Sequence, residues 1–258
     1  MDSQDFFEKI KEAELILVGL GEAFDGTGLL GQDPEYRTGC GILKEEGLSW
    51  LLPGWNEYCL RQRGDKRIEK ALERLDALLE GKNYFGVSVS TNSSIAGRKR
   101  MVMACGSTIR KQCAEGCEEA LQIMSEEDRA ALESFYCGLA EGKRSGNPYL
   151  PGRCPKCGGK LVLNNVYAEN YNEKGYLDQW GLYMKWLQGT LNRRLLVLEL
   201  GVGMQFPSVI RWPFEKAAFF NRKAFFCRVN DKLYQMTKEL AEKGCGISED
   251  AVDWLARL

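Results

Sequence analysis

Two close pairs of cysteines restrict the fold of this chain more than any other feature of its sequence. Three residues separate Cys113 from Cys117, and two residues separate Cys154 from Cys157. Four thiolates in two pairs can converge into the tetrahedral arrangement that Zn²⁺ prefers, and four sulfur ligands leave no open position for catalysis. The pairs therefore predict one structural zinc ion in a small lobe; the alternative is four unrelated buried thiols.

The composition excludes several classes of function. The 258 residues carry 35 basic and 36 acidic side chains, so no electrostatic argument favours nucleic acid or an anionic membrane as a partner. No apolar run approaches the roughly 20 residues of a membrane span. The charged first 14 residues are unlike a signal peptide, so we expect a cytoplasmic protein with reduced thiols. The chain has no histidine, which excludes every mechanism with a histidine base.

Short apolar runs alternate with amphipathic segments at both ends of the chain. This alternation is typical of an α/β fold, so we predict a Rossmann-like parallel sheet with helices on both faces, plus a small zinc-binding lobe. The predicted strands are 15–18, 84–90, 101–104, 195–200 and 224–230. The predicted helices are 3–14, 65–80, 125–139, 175–191 and a closing helix capped by Ser248 that ends at Leu258.

The same pattern divides the chain into parts. We predict a discontinuous Rossmann-like domain made of 1–104 and 163–258, and a small zinc-binding module at 105–162. Within the module, 143–151 is predicted to be a linker. We predict a cofactor-loop region at 22–60, because this segment is rich in glycine and aromatic residues without a clear period, which favours a loop with short helices.

Glycines and small polar residues follow three of the predicted strands. These segments are Gly19-Leu20-Gly21-Glu22-Ala23, Ser90-Thr91-Asn92 and Gly201-Val202-Gly203. In open α/β sheets, ligands bind outside the carboxyl ends of the strands, and glycines let the backbone approach a phosphate. The alternative is that these segments are ordinary turns, which the same residue types favour. Three such strand ends together favour one nucleotide-binding crevice.

Taken in order, the segments resemble the motifs of the sirtuin family over residues 13–258. The counterparts are Gly19 to Ala23, Ser90 to Ser94, Ala104-Cys105-Gly106-Ser107, the two cysteine pairs, Gly201 to Gly203, and Val229-Asn230. The stretch 198–214 is similar to a divergent bacterial branch that is linked to macrodomains and to protein ADP-ribosylation. The resemblance implies an NAD or ADP-ribose site beside a zinc lobe, and a protein substrate or signalling partner.

The resemblance also assigns roles to individual residues. The cofactor-binding positions that it implies are Gly19, Gly21, Glu22, Ala23, Thr91, Asn92, Ser94, Gly201, Gly203 and Asn230. The catalytic positions that it implies are Asn92 and Cys105. Cys105 stands where the family has its catalytic histidine, Ser94 where it has an aspartate that holds nicotinamide, and Ala23 where it has a serine. A thiol of ordinary pKa is mostly neutral at pH 7 and is a poor base.

These departures leave two functions open. The first is a sirtuin-like enzyme that transfers an acyl or ADP-ribosyl group with NAD. The second is a catalytically inactive relative that binds NAD or ADP-ribose as a sensor or serves as a scaffold. The intact strand-end glycines favour binding, whereas an acidic residue at Glu22, beside the expected phosphates, favours a scaffold.

Overall fold

A computed structural model of the chain describes residues 3–143 and 148–258, so residues 144–147 of the predicted linker lie outside the described part. The α-helices there are α1 (Ser3–Glu12), α2 (Thr27–Leu30), α3 (Pro34–Glu45), α4 (Leu52–Gln62), α5 (Arg67–Leu79), α6 (Glu126–Ala140), α7 (Lys174–Gln188), α8 (Arg211–Phe220), α9 (Lys238–Ala241) and α10 (Ala251–Arg257). The longest, α6 and α7, have 15 residues each. No helix in the described ranges combines the length and apolar character needed to cross a membrane.

The strands form two separate sheets. They are β1 (Leu15–Leu20), β2 (Tyr84–Ser88), β3 (Met101–Met103), β4 (Gly106–Cys113), β5 (Gln122–Ile123), β6 (Leu161–Asn165), β7 (Leu195–Leu200), β8 (Phe225–Val229) and β9 (Gly244–Ile247). The larger sheet has six parallel strands in the order β3-β2-β1-β7-β8-β9. The chain builds outwards from β1 in one direction and then returns to build outwards from β7 in the other. The predicted fold class is therefore confirmed, and the order reverses between β1 and β7, where open α/β sheets bind ligands.

Every residue of β1 is buried, because helices cover both faces of the sheet. Ile16 and Val18 belong to the hydrophobic core under α1, α5 and α10, while Leu15 and Leu17 belong to the core under α7 and α8. A continuous apolar strand of this kind is typical of a parallel sheet that is buried on both sides. Gly19 has a packing role here: a Cβ at this position would lie 2.6 Å from Ile210 Cγ2 at the start of α8.

The smaller sheet carries the cysteines. Its three antiparallel strands have the order β5-β4-β6, and Cys113 ends β4 opposite Leu161 of β6. The sequence patterns did not predict β4, β5 or β6, because these strands are short or half-exposed and lack a clean alternation. The domain boundaries at 104/105 and 162/163 stay predictions.

The segment 22–60 is more regular than predicted, since α3 and α4 fill much of it. Asp33 caps α3 by accepting hydrogen bonds from the N–H groups of Glu35 and Tyr36, and Pro34 occupies the first turn. Trp55 of α4 is fully buried, and its Nε1 donates to Tyr36 O at 3.1 Å. Glycines inside α3 hid its period, but one of them has a packing reason: a Cβ at Gly39 would lie 2.5 Å from the Trp55 ring.

The closing helix begins later than predicted. Asp250, not Ser248, caps α10, because its carboxylate accepts hydrogen bonds from the N–H groups of Val252 and Asp253. The Ser248 hydroxyl instead donates to Asp231 O at 3.3 Å. The edge strand β9 was also missed, since its glycine-rich sequence has no strand pattern.

A buried ion pair joins β7 to β8. Arg228 donates from Nε to Glu199 Oε1 at 2.7 Å and from Nη2 to Glu199 Oε2 at 3.0 Å, and both side chains are almost completely buried. Arg228 also contacts Glu215 at 2.6 Å, and Arg211 lies 3.5 Å from Glu199. Two cations therefore depend on one buried carboxylate between the strands and α8.

We expect Glu199→Ala to lower the free energy of unfolding by about 3–5 kcal/mol, because it leaves buried guanidinium groups without their main counter-charge. Chemical denaturation at pH 7 measures the change. Glu119→Ala is the matched control: it removes an exposed partner of Lys156 and should cost less than about 1 kcal/mol. Equal effects of the two substitutions would contradict the prediction.

Candidate functional site

The four paired cysteines form one cluster at the tip of the small sheet. The sulfur atoms of Cys113, Cys117, Cys154 and Cys157 all lie within 4.8 Å of one another, and Cys113 Sγ is 3.5 Å from Cys157 Sγ. A tetrahedral ion with Zn–S bonds of about 2.3 Å places its ligands roughly 3.8 Å apart, so the cluster has the dimensions of a zinc site.

Backbone amides support two of these sulfur atoms. Glu115 N donates to Cys113 Sγ and Gly159 N donates to Cys157 Sγ, each at 3.3 Å. Hydrogen bonds from the backbone amides of Cys157 and Lys156 lower the pKa of the Cys154 thiol to about 7. Amide donors stabilise the thiolate form that binds metal, so the donor set fits a closed Cys₄ zinc site.

Metal analysis of the purified protein should give close to one zinc ion per chain. We expect Cys157→Ser to weaken the apparent zinc affinity by at least about 100-fold, since even changes outside the ligand shell cost about 10–100-fold. Cys137→Ser replaces an exposed thiol outside the cluster and should leave the zinc content unchanged. A metal-free wild-type protein of undiminished stability would overturn the assignment.

The polar strand ends meet at one edge of the parallel sheet. We call the segments 19–25, 88–94, 201–203 and 229–230 the strand-tip site. Gly21 N donates to Leu200 O at 2.8 Å, and Val89 N donates to Leu20 O at 3.0 Å. Gly201 N donates to Val229 O at 2.8 Å. The backbone itself therefore joins the segments, and the structure brings the predicted strand-end residues together.

Glycine is required where the turns after β1 and β7 touch. A Cβ on Gly21 would lie 2.1 Å from Gly201 O, a distance that no side chain can adopt. Gly201 has a φ of 60°, and its Cβ would lie 2.4 Å from that of Ala23. The two turns are thus in backbone contact at the point where the strand order reverses.

An acidic side chain lies beside this contact between the two turns. Glu22 Oε2 accepts a hydrogen bond from Gly203 N at 2.6 Å, and a Cβ on Gly203 would lie 3.1 Å from the same oxygen. The other oxygen, Oε1, is buried, and no described residue donates to it. The Gly203 amide is therefore bound by the carboxylate of the protein itself.

Asp25 lies at the centre of the strand-tip site, although none of the sequence motifs includes it. Its Oδ1 accepts hydrogen bonds from Ser90 Oγ at 2.8 Å, Thr91 N at 2.8 Å and Thr91 Oγ1 at 3.0 Å. No described residue donates to its Oδ2. Burial, opposed by these hydrogen bonds and reinforced by the charge of Glu22, raises the pKa of Asp25 to about 6. The carboxyl thus titrates close to neutral pH.

Asn92 and Ser94 lie at the start of the loop after β2. Asn92 Nδ2 donates to Phe24 O at 3.0 Å, and Asn92 Oδ1 accepts from Ser94 N at 2.8 Å, so both ends of the amide hold backbone in place. Next to them, Glu57 of α4 accepts from Ser93 N and from Thr108 Oγ1, each at 2.8 Å. Burial raises the pKa of Glu57. No sequence signal marked Glu57, because its partners come from distant segments.

Cys105 is buried behind the strand tips. Its side chain is 2% exposed and belongs to the core on the α7 side of the sheet. Burial first, and then the charges of Asp25 and Glu22, raise the pKa of the thiol far above its ordinary value. Tyr167 is half-buried, and the same two charges act on it. Burial is the main cause that raises its pKa to about 12. The Tyr167 hydroxyl accepts a hydrogen bond from Gln205 Nε2 at 3.3 Å. The Cys105 thiol stays protonated at neutral pH.

The side chain of Asn230 holds the turn after β7 by hydrogen bonds. Its Nδ2 donates to Val202 O at 3.0 Å, and Arg211 Nη2 donates to the same oxygen at 2.9 Å. Its Oδ1 accepts from the N–H groups of Lys232 and Leu233. The side chain therefore positions the turn that carries Gly203.

We predict that Asp25→Asn stabilises the protein at pH 7. The native carboxyl keeps its proton up to about pH 6, whereas an unfolded chain releases it near pH 4, so the free energy of unfolding falls as pH rises through this window. Asparagine keeps the acceptor oxygen for Ser90 and Thr91 but cannot ionise. The gain should be on the order of 3 kcal/mol at pH 7 and should vanish below about pH 4.

Denaturation curves at several pH values measure this difference. Asp178→Asn, which changes an exposed carboxyl on α7, is the matched control and should show no such pH-dependent gap. A constant difference between wild type and Asp25→Asn from pH 4 to 7 would refute the shifted titration.

The fold and site together define a Rossmann-type α/β protein with an inserted four-cysteine lobe. The sequence matches no protein-family model. A curated relative, a protein ADP-ribosyltransferase of Staphylococcus aureus, is 22% identical over 263 residues, covering 93% of this chain and 82% of the relative.

Several solved structures are similar to this chain over its whole length. A sirtuin from a study of substrate affinity matches with a TM-score of 0.55 at 15% identity, covering 100% of this chain and 97% of the sirtuin. A Sir2 protein bound to a propionylated peptide gives 0.54 at 14% identity, with coverage of 100% and 97%. A Sir2 homologue in complex with ADP-ribose gives 0.51 at 15% identity, with coverage of 100% and 96%. The chain has the sirtuin fold, which confirms the resemblance seen in the sequence.

Proposed function

We propose that the strand-tip site binds NAD or ADP-ribose, and that the protein is a sirtuin-type transferase of acyl or ADP-ribosyl groups. The observation that carries the proposal is the contact between Gly21 and Gly201, because two glycine turns abut where the strand order reverses. This is the position at which doubly wound sheets receive dinucleotides.

The relatives support the proposal from a second direction. One structural neighbour is a complex with ADP-ribose, another is a complex with a peptide and NAD⁺, and the sequence relative is named a protein ADP-ribosyltransferase. A peptide ligand in several neighbours favours a protein substrate for this chain. Ten cysteines without a disulfide favour a reducing compartment, so we place the protein in the cytoplasm.

The glycines of the site suit a phosphate, but Glu22 as it stands does not. Its carboxylate holds Gly203 N and would repel an incoming phosphate at close range. The side chain is only partly buried, so it can turn outwards and release the amide. NAD, once bound, supplies the transferable ADP-ribosyl group; Gly21, Gly201 and Gly203 provide backbone at the phosphate position.

Asp25 takes the place of the missing histidine as the base that accepts the proton of the attacking nucleophile, while nicotinamide leaves as a neutral molecule. It is the buried carboxyl of the strand-tip site, one of its oxygens has no donor among the described residues, and its pKa of about 6 leaves it ionised at pH 7. A base is most effective when its pKa lies near the working pH. Cys105 lies behind the site as a neutral thiol, and Asn92 positions the loop that carries Thr91.

The second candidate function is a catalytically inactive sensor or scaffold. The hydrogen bond from Gly203 N to Glu22 favours it, because the resting protein satisfies its own phosphate-binding amide. Under this alternative NAD or ADP-ribose, if bound, is not cleaved.

Calorimetric titration with NAD and with ADP-ribose, together with an assay of nicotinamide release, distinguishes the two functions. We expect Glu22→Ala to bind either ligand at least about tenfold more tightly than wild type, since it removes a like charge beside the phosphates. Glu8→Ala, an exposed carboxylate on α1, is the control and should bind as wild type does. Absence of binding by both wild type and Glu22→Ala would eliminate the nucleotide site.

Asp25→Asn tests the catalytic part. It should retain ligand binding and lower the rate of nicotinamide release by about 10²- to 10⁴-fold, the usual contribution of a general base. The wild-type rate should rise through about pH 6, as Asp25 loses its proton. Binding without release in the wild type would establish the sensor instead. Asn92→Ala is less informative, because it also removes contacts to Phe24 and Ser94.

A further inference from the structure

A cavity lies where the edge of the parallel sheet meets the small sheet, and its lining shares no residue with the strand-tip site. Its volume is about 330 Å³. The loop 96–100 before β3, the first half of β4 and the first turns of α7 form its walls. Ligand sites for small molecules begin at roughly this size, so the cavity suits one small charged group.

Four cationic side chains line this cavity: Arg98, Lys99, Arg100 and Arg110. Its lining includes no carboxylate among the described residues. Arg98 has an acidic partner outside the lining, Asp76, at 3.0 Å. For the other three cations, no carboxylate of a described residue lies within ion-pair distance. Like charges that converge in a partly enclosed space raise the local potential and attract an anion.

Two of the guanidinium groups have contacts that do not neutralise their charge, whereas the exposed Lys99 is held only through its backbone carbonyl. Arg110 Nη1 donates to Gly175 O at 3.0 Å, which fixes the guanidinium beside the first turn of α7. The Arg100 guanidinium lies over the Phe85 ring at 5.6 Å, and Tyr84 Oη donates to Lys99 O at 3.0 Å. A site whose charges are already positioned loses little side-chain entropy on binding.

The backbone of the loop is also unusual. Arg100 has a φ of 57°, a left-handed conformation that is rare outside glycine. Residues held in such conformations cluster at binding sites. Charges near a short edge strand commonly serve only to prevent strand pairing. Arg110, however, belongs to β4 of the other sheet and converges on the same cavity, which protection of the β3 edge does not require.

We propose that this cavity binds a phosphate group, carried either by a small phosphate ester or by a phosphorylated protein side chain. Arg100 and Arg110 offer guanidinium donors, the geometry that suits phosphate oxygens, and Lys99 adds a third positive charge. Ser107 and Asn164 add neutral polar groups to the wall. The inference is independent of NAD binding, since none of its residues belongs to the strand-tip site.

Calorimetric titration of the full chain with inorganic phosphate at pH 7.5 tests the proposal. The double variant Lys99→Gln/Arg100→Gln should bind phosphate at least about tenfold more weakly than wild type, since contacts to charged groups of this kind account for a factor of ten or more. Arg129→Gln, which removes an exposed charge on α6, is the matched control and should bind as wild type does. Thermal denaturation verifies that each variant is folded.

A phosphoserine peptide distinguishes the two sources. Binding of the peptide at least about tenfold tighter than inorganic phosphate would indicate a phosphorylated protein, and equal affinities would indicate a small phosphate ester. Either result requires loss of binding in the double variant. The proposal is wrong if wild type gives no saturable binding of phosphate or peptide, or if the double variant binds both as tightly as wild type. NAD titration of the double variant should match wild type, which separates this cavity from the strand-tip site.

Discussion

The backbone contact between Gly21 and Gly201 is the constraint on which the site depends. It allows the turns after β1 and β7 to touch, so that the two halves of the parallel sheet meet along these two strands. A methyl group at either position would separate the turns and displace the ends of both strands. The turn after β7 is held from behind by Arg211 and Asn230, which share the Val202 carbonyl. Many polar side chains around the strand tips therefore hold the backbone in place.

The electrostatic character of the site differs from what a dinucleotide requires. Glu22 and Asp25 place two carboxyl groups close together at the strand tips, where their like charges repel. The protein reduces this cost in two ways: Gly203 N satisfies one oxygen of Glu22, and Ser90 and Thr91 donate hydrogen bonds to Asp25. The Glu22 carboxylate thus keeps the Gly203 amide from other acceptors in this structure.

The sequence predicted the parallel sheet well because β1 and β7 are continuous apolar runs, a pattern that few other structures produce. It predicted the cysteine cluster because paired spacing directly reflects the geometry of a shared ion. It did not predict β4, β5, β6 or α3, since β4 is half-exposed, β5 and β6 are short, and a glycine-containing helix has a weak period. Glu57 could not have been found, because its partners Ser93 and Thr108 are brought to it only by the tertiary fold.

Glu57 also links parts of the molecule that are distant in the sequence. One carboxylate accepts hydrogen bonds from the loop after β2 and from β4, while its own helix packs beside the segment that carries Asp25. Asn165 of β6 makes a second link of this kind, because its Nδ2 donates a hydrogen bond to Trp50 O at 2.9 Å. Disorder in the cysteine lobe would therefore spread along β4 and β6 to the helices beside the strand-tip site. In a cell short of zinc, the supply of metal would set the fraction of molecules in which those helices are ordered.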